Sequence, residues 1–232
     1  MKQLDYKPIK LILFSTAAVA GTLTNPHSTL AFDLAAAKAH SHSSSSTRVQ
    51  DPQLADFIER TARARLPQKW KMQSRAIADA ILSNASLLNV DALLLTATIL
   101  HESRFNPAAR GRHGEIGLVQ IKPSTALDLL NGKADARFGL DEKIQENSLQ
   151  SVRQALFDPM INIAFGAAYM AYLQTHLKRK NNLARARDSQ DSHLLFLTAY
   201  NMGLGRLQQK LIKKQIPNRY RNDVSRHYAA LK

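Results

Sequence analysis

One carboxylate of this chain lies where an acid catalyst would need it, at the end of a strongly apolar segment. Residues 91–103 are rich in leucine, alanine and isoleucine, and they carry Glu102 near their C-terminal end. On a helix, the positions three, four and seven residues before Glu102 are Ile99, Thr98 and Leu95, so the carboxylate shares the stripe that this helix buries. Burial disfavours the charged form and raises the pKa of a carboxyl group. A proton donor for glycosidic cleavage requires that property.

The same position also fits a purely structural carboxylate. Glu102 precedes Asn106-Pro107, where the helix is expected to stop, because the residue before a proline is biased away from helical geometry. At a helix end the side chain would face water or pair with Arg104, since ion pairs also place carboxylates beside protein cores. The position alone leaves both interpretations open.

Four short blocks of residues follow one another in order around and after Glu102. They are Glu102-Ser103-Arg104-Phe105-Asn106-Pro107, then Gly114-Glu115-Ile116-Gly117-Leu118-Val119-Gln120-Ile121-Lys122-Pro123-Ser124-Thr125-Ala126, then Asn162-Ile163 with Gly166 and Tyr169, then Ala199-Tyr200-Asn201-Met202-Gly203, with Tyr220 and Val224 after them. In order and spacing these blocks resemble the catalytic domain of the soluble lytic transglycosylases, an SLT-type, lysozyme-like family related to goose-type lysozyme. The resemblance covers roughly residues 87–230 and implies a lysozyme-like fold.

The resemblance also implies roles for the matching residues. Glu102 would be the catalytic acid and base, and no metal or organic cofactor would be needed. The implied substrate-binding residues are Gln120, Gly117, Leu118, Tyr200 and Asn201. Gln120 would line the glycan groove. Tyr200 and Asn201 would face the cleavage site, with the Tyr200 hydroxyl near the catalytic carboxylate.

Three positions depart from the usual pattern of the family. Val119 replaces a methionine, and Gly111 stands where many members carry a serine that contacts the substrate. Glu115 occupies a position that is often small. It is either a second carboxylate near the groove or a surface residue paired with Arg112. We favour the surface interpretation, because exposed charges of both signs crowd this loop.

The implied reaction is cleavage of the β-1,4 bond between N-acetylmuramic acid and N-acetylglucosamine in peptidoglycan, with formation of 1,6-anhydro-muropeptides. Glu102 alone would serve as acid and then as base, unlike the two-carboxylate scheme of most glycosidases. Two alternatives stay open: a lysozyme-like hydrolase with Glu115 as its second carboxylate, and a wall-binding module without turnover. Peptidoglycan glycan strands are the expected partner, and a monomer is expected. Endo and exo action are not distinguished.

Hydrophobic residues at helical spacing recur along the chain and predict a mainly α fold. The expected helices begin near Asp51 and cover residues 71–87, 91–103, 124–131, 159–177, 192–201 and 217–231. Sustained alternation of apolar and polar residues is missing from the sequence, so the only β structure expected is a short excursion around residues 110–122. Together with the resemblance, this pattern predicts one lysozyme-like globular domain over residues 51–232.

The first 31 residues have the layout of a secretory signal peptide. Three lysines precede an apolar run of 13 residues, 11–23, which is short for a membrane span. Cleavage fits after Ala20 or after Ala31, and we prefer Ala31. The serine-rich residues 32–50 have little to bury and predict a flexible linker.

Charge and cysteine content narrow the compartment and the partners. The formal net charge is +14, which favours an acidic partner such as nucleic acid, anionic lipid or acidic polysaccharide. A secretion signal fits poorly with nucleic acid and favours cell-wall polymers or anionic membrane surfaces. The sequence contains no cysteine, which excludes disulfides, thiolate metal sites and a lipid-modified cysteine. The expected location is therefore periplasmic or secreted, without a lipoprotein anchor.

Overall fold

The computed structural model describes residues 51–132, 144, 148–179, 189–213 and 219–232. The predicted signal peptide and linker, residues 1–50, lie outside the described residues. The described helices are α1 (Pro52–Arg63), α2 (Ser74–Leu87), α3 (Ala92–Ser103), α4 (Pro123–Leu130), α5 (Leu149–Ala155), α6 (Pro159–Arg179), α7 (Ser189–Met202), α8 (Leu204–Ile212) and α9 (Arg219–Leu231), with a 3₁₀ helix at Gln68–Gln73. Within these ranges the chain is mainly helical and forms no strand, so the predicted mainly α class is confirmed.

Two aspartates start helices at the positions that the sequence indicates. Asp51 accepts a hydrogen bond of 2.9 Å from the backbone N–H of Gln53, and Pro52 is the first residue of α1. Asp91 accepts hydrogen bonds from the N–H groups two and three residues later, at 2.8 and 3.1 Å. Such caps satisfy backbone donors that have no partner within the helix. They fix the beginnings of α1 and α3 locally.

Helix α3 lies in the core and therefore gives Glu102 a fixed position. Eight of its residues are buried, among them every residue from Leu94 to Leu100. It packs against α2 and α9. A helix that is apolar on most sides is stable only when neighbours cover it. The burial predicted for residues 91–103 is thus confirmed.

The chain turns sharply as soon as it has passed Glu102. Arg104 and Phe105 both have left-handed backbone conformations, with φ of 53° and 62°. Residues other than glycine seldom adopt that conformation, and here the buried Phe105 side chain, with no exposed surface, holds the turn in place. The turn ends α3 before Asn106-Pro107 and leaves the last turn of the helix open on one side.

The segment 110–122 forms two isolated bridges, Arg110 with Ile116 and Ile116 with Ile121. The short β excursion that the sequence predicts is therefore limited to single bridges. Asn162, buried on α6, donates hydrogen bonds of 2.9 Å to the carbonyls of Ile116 and Leu156. Its Oδ1 accepts a 2.9 Å hydrogen bond from Val119 N–H. One amide side chain thus fixes this loop to the core.

Within the described ranges, no single helix has both the length and the apolar character needed to cross a membrane. Helices α5 and α6 meet that criterion only when they are joined, and the pair is bent by 112°.

Candidate active site

Glu102 is held at the end of α3 by a tyrosine from the last helix. The Tyr220 hydroxyl, on α9, donates a hydrogen bond of 2.6 Å to Glu102 Oε1. The two residues are 118 positions apart in the sequence, and the packing of α9 on α3 brings them together. Glu102 is partly buried, so its carboxyl group is neither free in water nor sealed in the core.

The surroundings of Glu102 favour its neutral form. Burial raises the pKa of this carboxyl group to about 7. The hydrogen bond from Tyr220 acts in the opposite direction, because it stabilises the carboxylate, whereas the negative charge of Glu115 raises the pKa further. Near neutral pH such a group exists in both protonation states, so it can donate a proton and later accept one.

Tyr200 is buried under the loop, and its hydrogen bond goes to the backbone. Its hydroxyl donates to the Val119 carbonyl at 3.0 Å, and its ring lies 5.3 Å from that of Tyr169, centroid to centroid. Burial, followed by the charge of Glu102, raises the pKa of Tyr200 well above its ordinary value. The hydrogen bond to Glu102 comes from Tyr220 and not from Tyr200. Asn201 is exposed next to Tyr200.

The predicted groove residues of the loop divide into one partly exposed residue and two buried ones. Gln120 is partly buried and has a left-handed backbone, with φ of 48°. Its Nε2 donates to the Gly117 carbonyl at 2.9 Å. Leu118 has no exposed surface, and its side chain packs in the core. Gly117 is buried with φ of 79°, and a Cβ there would clash with Asn162.

The sequence matches the transglycosylase SLT domain family over residues 79–222, which is more than half of the chain. The chain belongs to this family. It is 36% identical over 99 residues to membrane-bound lytic murein transglycosylase E of Buchnera aphidicola, covering 41% of this chain and 38% of that protein. It is 31% identical over 142 residues to membrane-bound lytic murein transglycosylase C of Yersinia pestis, covering 60% and 35%. The matches thus span little more than a third of these relatives.

Solved structures of two SLT-type proteins share the fold. The lytic transglycosylase Slt of Pseudomonas aeruginosa, an inactive mutant, aligns with a TM-score of 0.50 and 22% identity, over 71% of this chain and 26% of that one. The 70 kDa soluble lytic transglycosylase of Escherichia coli aligns with a TM-score of 0.50 and 21% identity, over 77% and 29%. The predicted lysozyme-like architecture is confirmed.

The departures of this SLT domain at Gly111 and Glu115 are structurally linked. A Cβ at Gly111 would clash with Glu115 Oε2 and approach Gln120 Oε1 to 2.9 Å. The Glu115 carboxylate therefore occupies space beside residue 111 that a serine side chain would need. A short residue at 111 and a longer carboxylate at 115 fill the same part of the loop.

Glu115 is less exposed than the surface interpretation assumes. Its side chain is 20% exposed, and its Oε1 lies 3.4 Å from Lys122 Nζ and 3.8 Å from His113 Nδ1. The expected pairing with Arg112 is replaced by these contacts. Burial raises the Glu115 pKa, but hydrogen bonds from the backbone N–H groups of Glu115 and His113, together with Lys122, outweigh it and lower the pKa overall. Glu115 is thus an ion-paired carboxylate of the loop, with Lys122 as its partner in place of Arg112.

Sequence reasoning did not assign a role to Tyr220, although the residue stands in the last part of the SLT pattern. That position in the pattern was the one signal in the sequence that could have indicated a role for Tyr220. Its contact with Glu102 depends on the packing of α9 and has no local trace in the sequence. Among the described residues, no three His, Asp or Glu side chains converge as metal ligands would.

Proposed function

We propose that this chain is a lytic transglycosylase that cleaves the glycan strands of peptidoglycan. The observation that carries the proposal is the partly buried Glu102 carboxyl group, with a pKa of about 7 and a hydrogen bond from Tyr220. An acid catalyst for a glycosidic bond must hold its proton near neutral pH, and burial provides this. Family membership supports the same assignment, and both relatives are named murein transglycosylases.

In the first step, protonated Glu102 donates its proton to the oxygen between N-acetylmuramic acid and N-acetylglucosamine. The C–O bond to the muramyl anomeric carbon breaks, and the acetamido group of the substrate relieves the developing positive charge. Glu102 is left as a carboxylate, which the Tyr220 hydroxyl stabilises through its 2.6 Å hydrogen bond. Gln120 supplies both a donor and an acceptor for neighbouring sugar groups.

In the second step, ionised Glu102 accepts the proton of the muramyl 6-hydroxyl. That oxygen attacks the anomeric carbon and closes the 1,6-anhydro ring, so water takes no part. One carboxyl group serves both steps because its pKa lies near neutral pH. The scheme requires neither a metal nor an organic cofactor.

The site of action follows from the same substrate. Peptidoglycan lies outside the cytoplasmic membrane, so a periplasmic or secreted location agrees with the signal peptide that residues 1–31 resemble. The net charge of +14 suits a polymer whose peptide stems carry carboxylates. We expect the protein to act there as a monomer.

A second candidate function is lysozyme-like hydrolysis, which the position of Glu115 favours. Its negative charge contributes to the raised pKa of Glu102, so the two carboxyl groups lie within electrostatic reach of each other. A carboxylate with a lowered pKa is a weak base but a good stabiliser of positive charge. In a hydrolase, Glu115 would hold a water molecule in the place of the 6-hydroxyl.

Digestion of purified sacculi distinguishes these functions. Wild type should release soluble fragments that carry 1,6-anhydromuramyl ends, identified by mass spectrometry, and Glu102→Gln should release almost none. Exclusively reducing ends would instead establish hydrolysis. Equal release by wild type and Glu102→Gln would reject catalysis by this carboxyl group, and sedimentation with sacculi without any release would indicate a wall-binding module.

A further inference from the structure

A basic pocket opens beside His101, whose ring contacts that of Tyr220. It has a volume of about 490 Å³ and lies between the chain just after α1, the C-terminal end of α3 and the middle of α9. Its polar lining consists of Arg65, His101, Arg104, Asp223, Arg226 and His227. We call this the arginine pocket. The predicted groove residues of the 111–122 loop do not line it.

Positive charge in the arginine pocket exceeds the negative charge available to balance it. Its one carboxylate, Asp223, forms an ion pair with Arg226. Arg65 donates to the backbone carbonyl of Thr61 at 3.0 Å, which leaves its charge uncompensated. Among the described residues, neither Arg65 nor Arg104 forms an ion pair with a carboxylate. Two guanidinium groups therefore face the same cavity without a counter-charge, which is the arrangement that binds an anion.

The arginine pocket is one side chain away from the proposed proton donor. The His101 ring, part of the pocket wall, contacts the Tyr220 ring edge-on, with centroids 4.8 Å apart and planes at 85°. The Tyr220 hydroxyl bonds to Glu102 on its other side. His101 and Tyr220 thus connect the wall of the pocket to Glu102.

We propose that the arginine pocket binds a carboxylate of the peptide stem attached to the muramic acid at the cleavage site. This inference rests on the proposed function, since it assumes peptidoglycan as the substrate. An extended peptide advances about 3.3–3.6 Å per residue, so two or three stem residues cover roughly 10 Å from the sugar. Guanidinium groups bind carboxylates through paired hydrogen bonds, whereas the sugar hydroxyls are neutral and need no such charge.

The kinetic test compares two substrates that differ in the peptide stems and in the muramyl lactyl carboxylate, which removal of the stem leaves free. One is solubilised peptidoglycan, and the other is the same glycan after an amidase has removed the stems. Arg104→Gln should raise KM for the stem-bearing glycan about tenfold, as expected for one charge-assisted hydrogen bond, and should leave the stem-free glycan within twofold. Arg153→Gln, an exposed change on α5, is the matched control and should change neither. Equal effects on both substrates, or no effect on either, would overturn the inference.

A binding measurement keeps the inference testable even if the chain proves inactive. Calorimetry with a soluble disaccharide tetrapeptide should show tighter binding to Glu102→Gln than to Glu102→Gln/Arg104→Gln, by about tenfold. The stem-free disaccharide should bind both variants equally. Arg104→Asn, which suits the left-handed backbone at this position, provides a second variant if glutamine disturbs folding. Equal binding of the peptide-bearing ligand to both proteins would refute the arginine pocket, whereas failure of wild type to release fragments would refute the proposed function alone.

Discussion

Glu102 and Glu115 are two carboxyl groups beside one loop, yet their surroundings move their pKa values in opposite directions. Glu102 has burial as its dominant influence and a single hydroxyl donor, and its pKa rises to about 7. Glu115 has backbone N–H groups and Lys122 around it, and its pKa falls. A glutamate side chain is thus suited to act as an acid at position 102 and as a fixed negative charge at position 115. Location, and not residue type, sets the role.

The largest expected effect is on turnover, which should depend far more on Glu102 than on Glu115. Glu102→Gln should lower the release of fragments from sacculi by about 10³-fold, because general acid and base catalysis contributes 10²–10⁴-fold. Glutamine keeps the shape of the protonated acid and still accepts from Tyr220, so circular dichroism should show an unchanged fold. Residual activity above about a tenth of wild type would mean that another group donates the proton.

The second expected effect concerns stability, with a sign fixed by the raised pKa. Glu102 titrates near 4.5 in the unfolded chain and at about 7 when folded, so the folded state loses stability as pH rises through this interval. At about 1.4 kcal/mol per pH unit, the cost above pH 7 is up to about 3 kcal/mol. Glu102→Gln removes it. Urea unfolding should show the variant to be more stable than wild type at pH 8 and equal at pH 4, and equal stability at both would contradict the raised pKa.

The pH dependence of kcat/KM for the wild type should report the titration of Glu102. The reaction begins with protonated Glu102, so kcat/KM should fall about tenfold per pH unit above the pKa of about 7. An ordinary carboxyl group would place this decline near 4.5. Initial rates on solubilised peptidoglycan between pH 5 and 9 test the prediction. A decline centred near 4.5 would show that burial does not control this carboxyl group in solution.

The two tyrosines beside Glu102 extend the comparison. Tyr220→Phe removes the donor to Glu102, so turnover should fall roughly tenfold. The decline of kcat/KM at high pH should also move to higher pH, because the ionised form of Glu102 loses its stabilising bond.

Tyr200→Phe instead leaves the Val119 carbonyl without its donor. It should cost about 1–3 kcal/mol of stability with the pH profile unchanged. If Tyr200→Phe alone shifted the profile, the assignment of the two hydroxyls would be reversed.

The smallest expected effect belongs to Glu115. Glu115→Gln removes a negative charge that raises the Glu102 pKa, so the decline at high pH should move to lower pH, opposite to Tyr220→Phe. Turnover should stay within about threefold of wild type, since the charge interaction is partly screened by water. Asp79→Asn on α2 makes the same charge change away from the site and should have no effect. A loss approaching that of Glu102→Gln would favour the hydrolase.

Several elements could be predicted from the sequence because their signals are local. The capping aspartates and apolar stripes place α1 and α3, with α3 beginning one residue after the predicted start at 91. Helices α5 and α8 were not predicted. Helix α5 has only seven residues, one of them buried, so its apolar pattern is too short to recognise. Helix α8 begins directly after Gly203, which has φ of 81° and follows the last residue of α7.

The sequence by itself determined that position 102 shares the apolar stripe of a helix that ends one residue later, because helix periodicity and capping act over three or four residues. It also determined the family through blocks of fixed order. Only the tertiary structure decided which tyrosine bonds to Glu102 and that Glu115 fills the space beside Gly111. Contacts of about 3 Å between distant segments depend on how α3, α7 and α9 pack, and no local pattern encodes that packing.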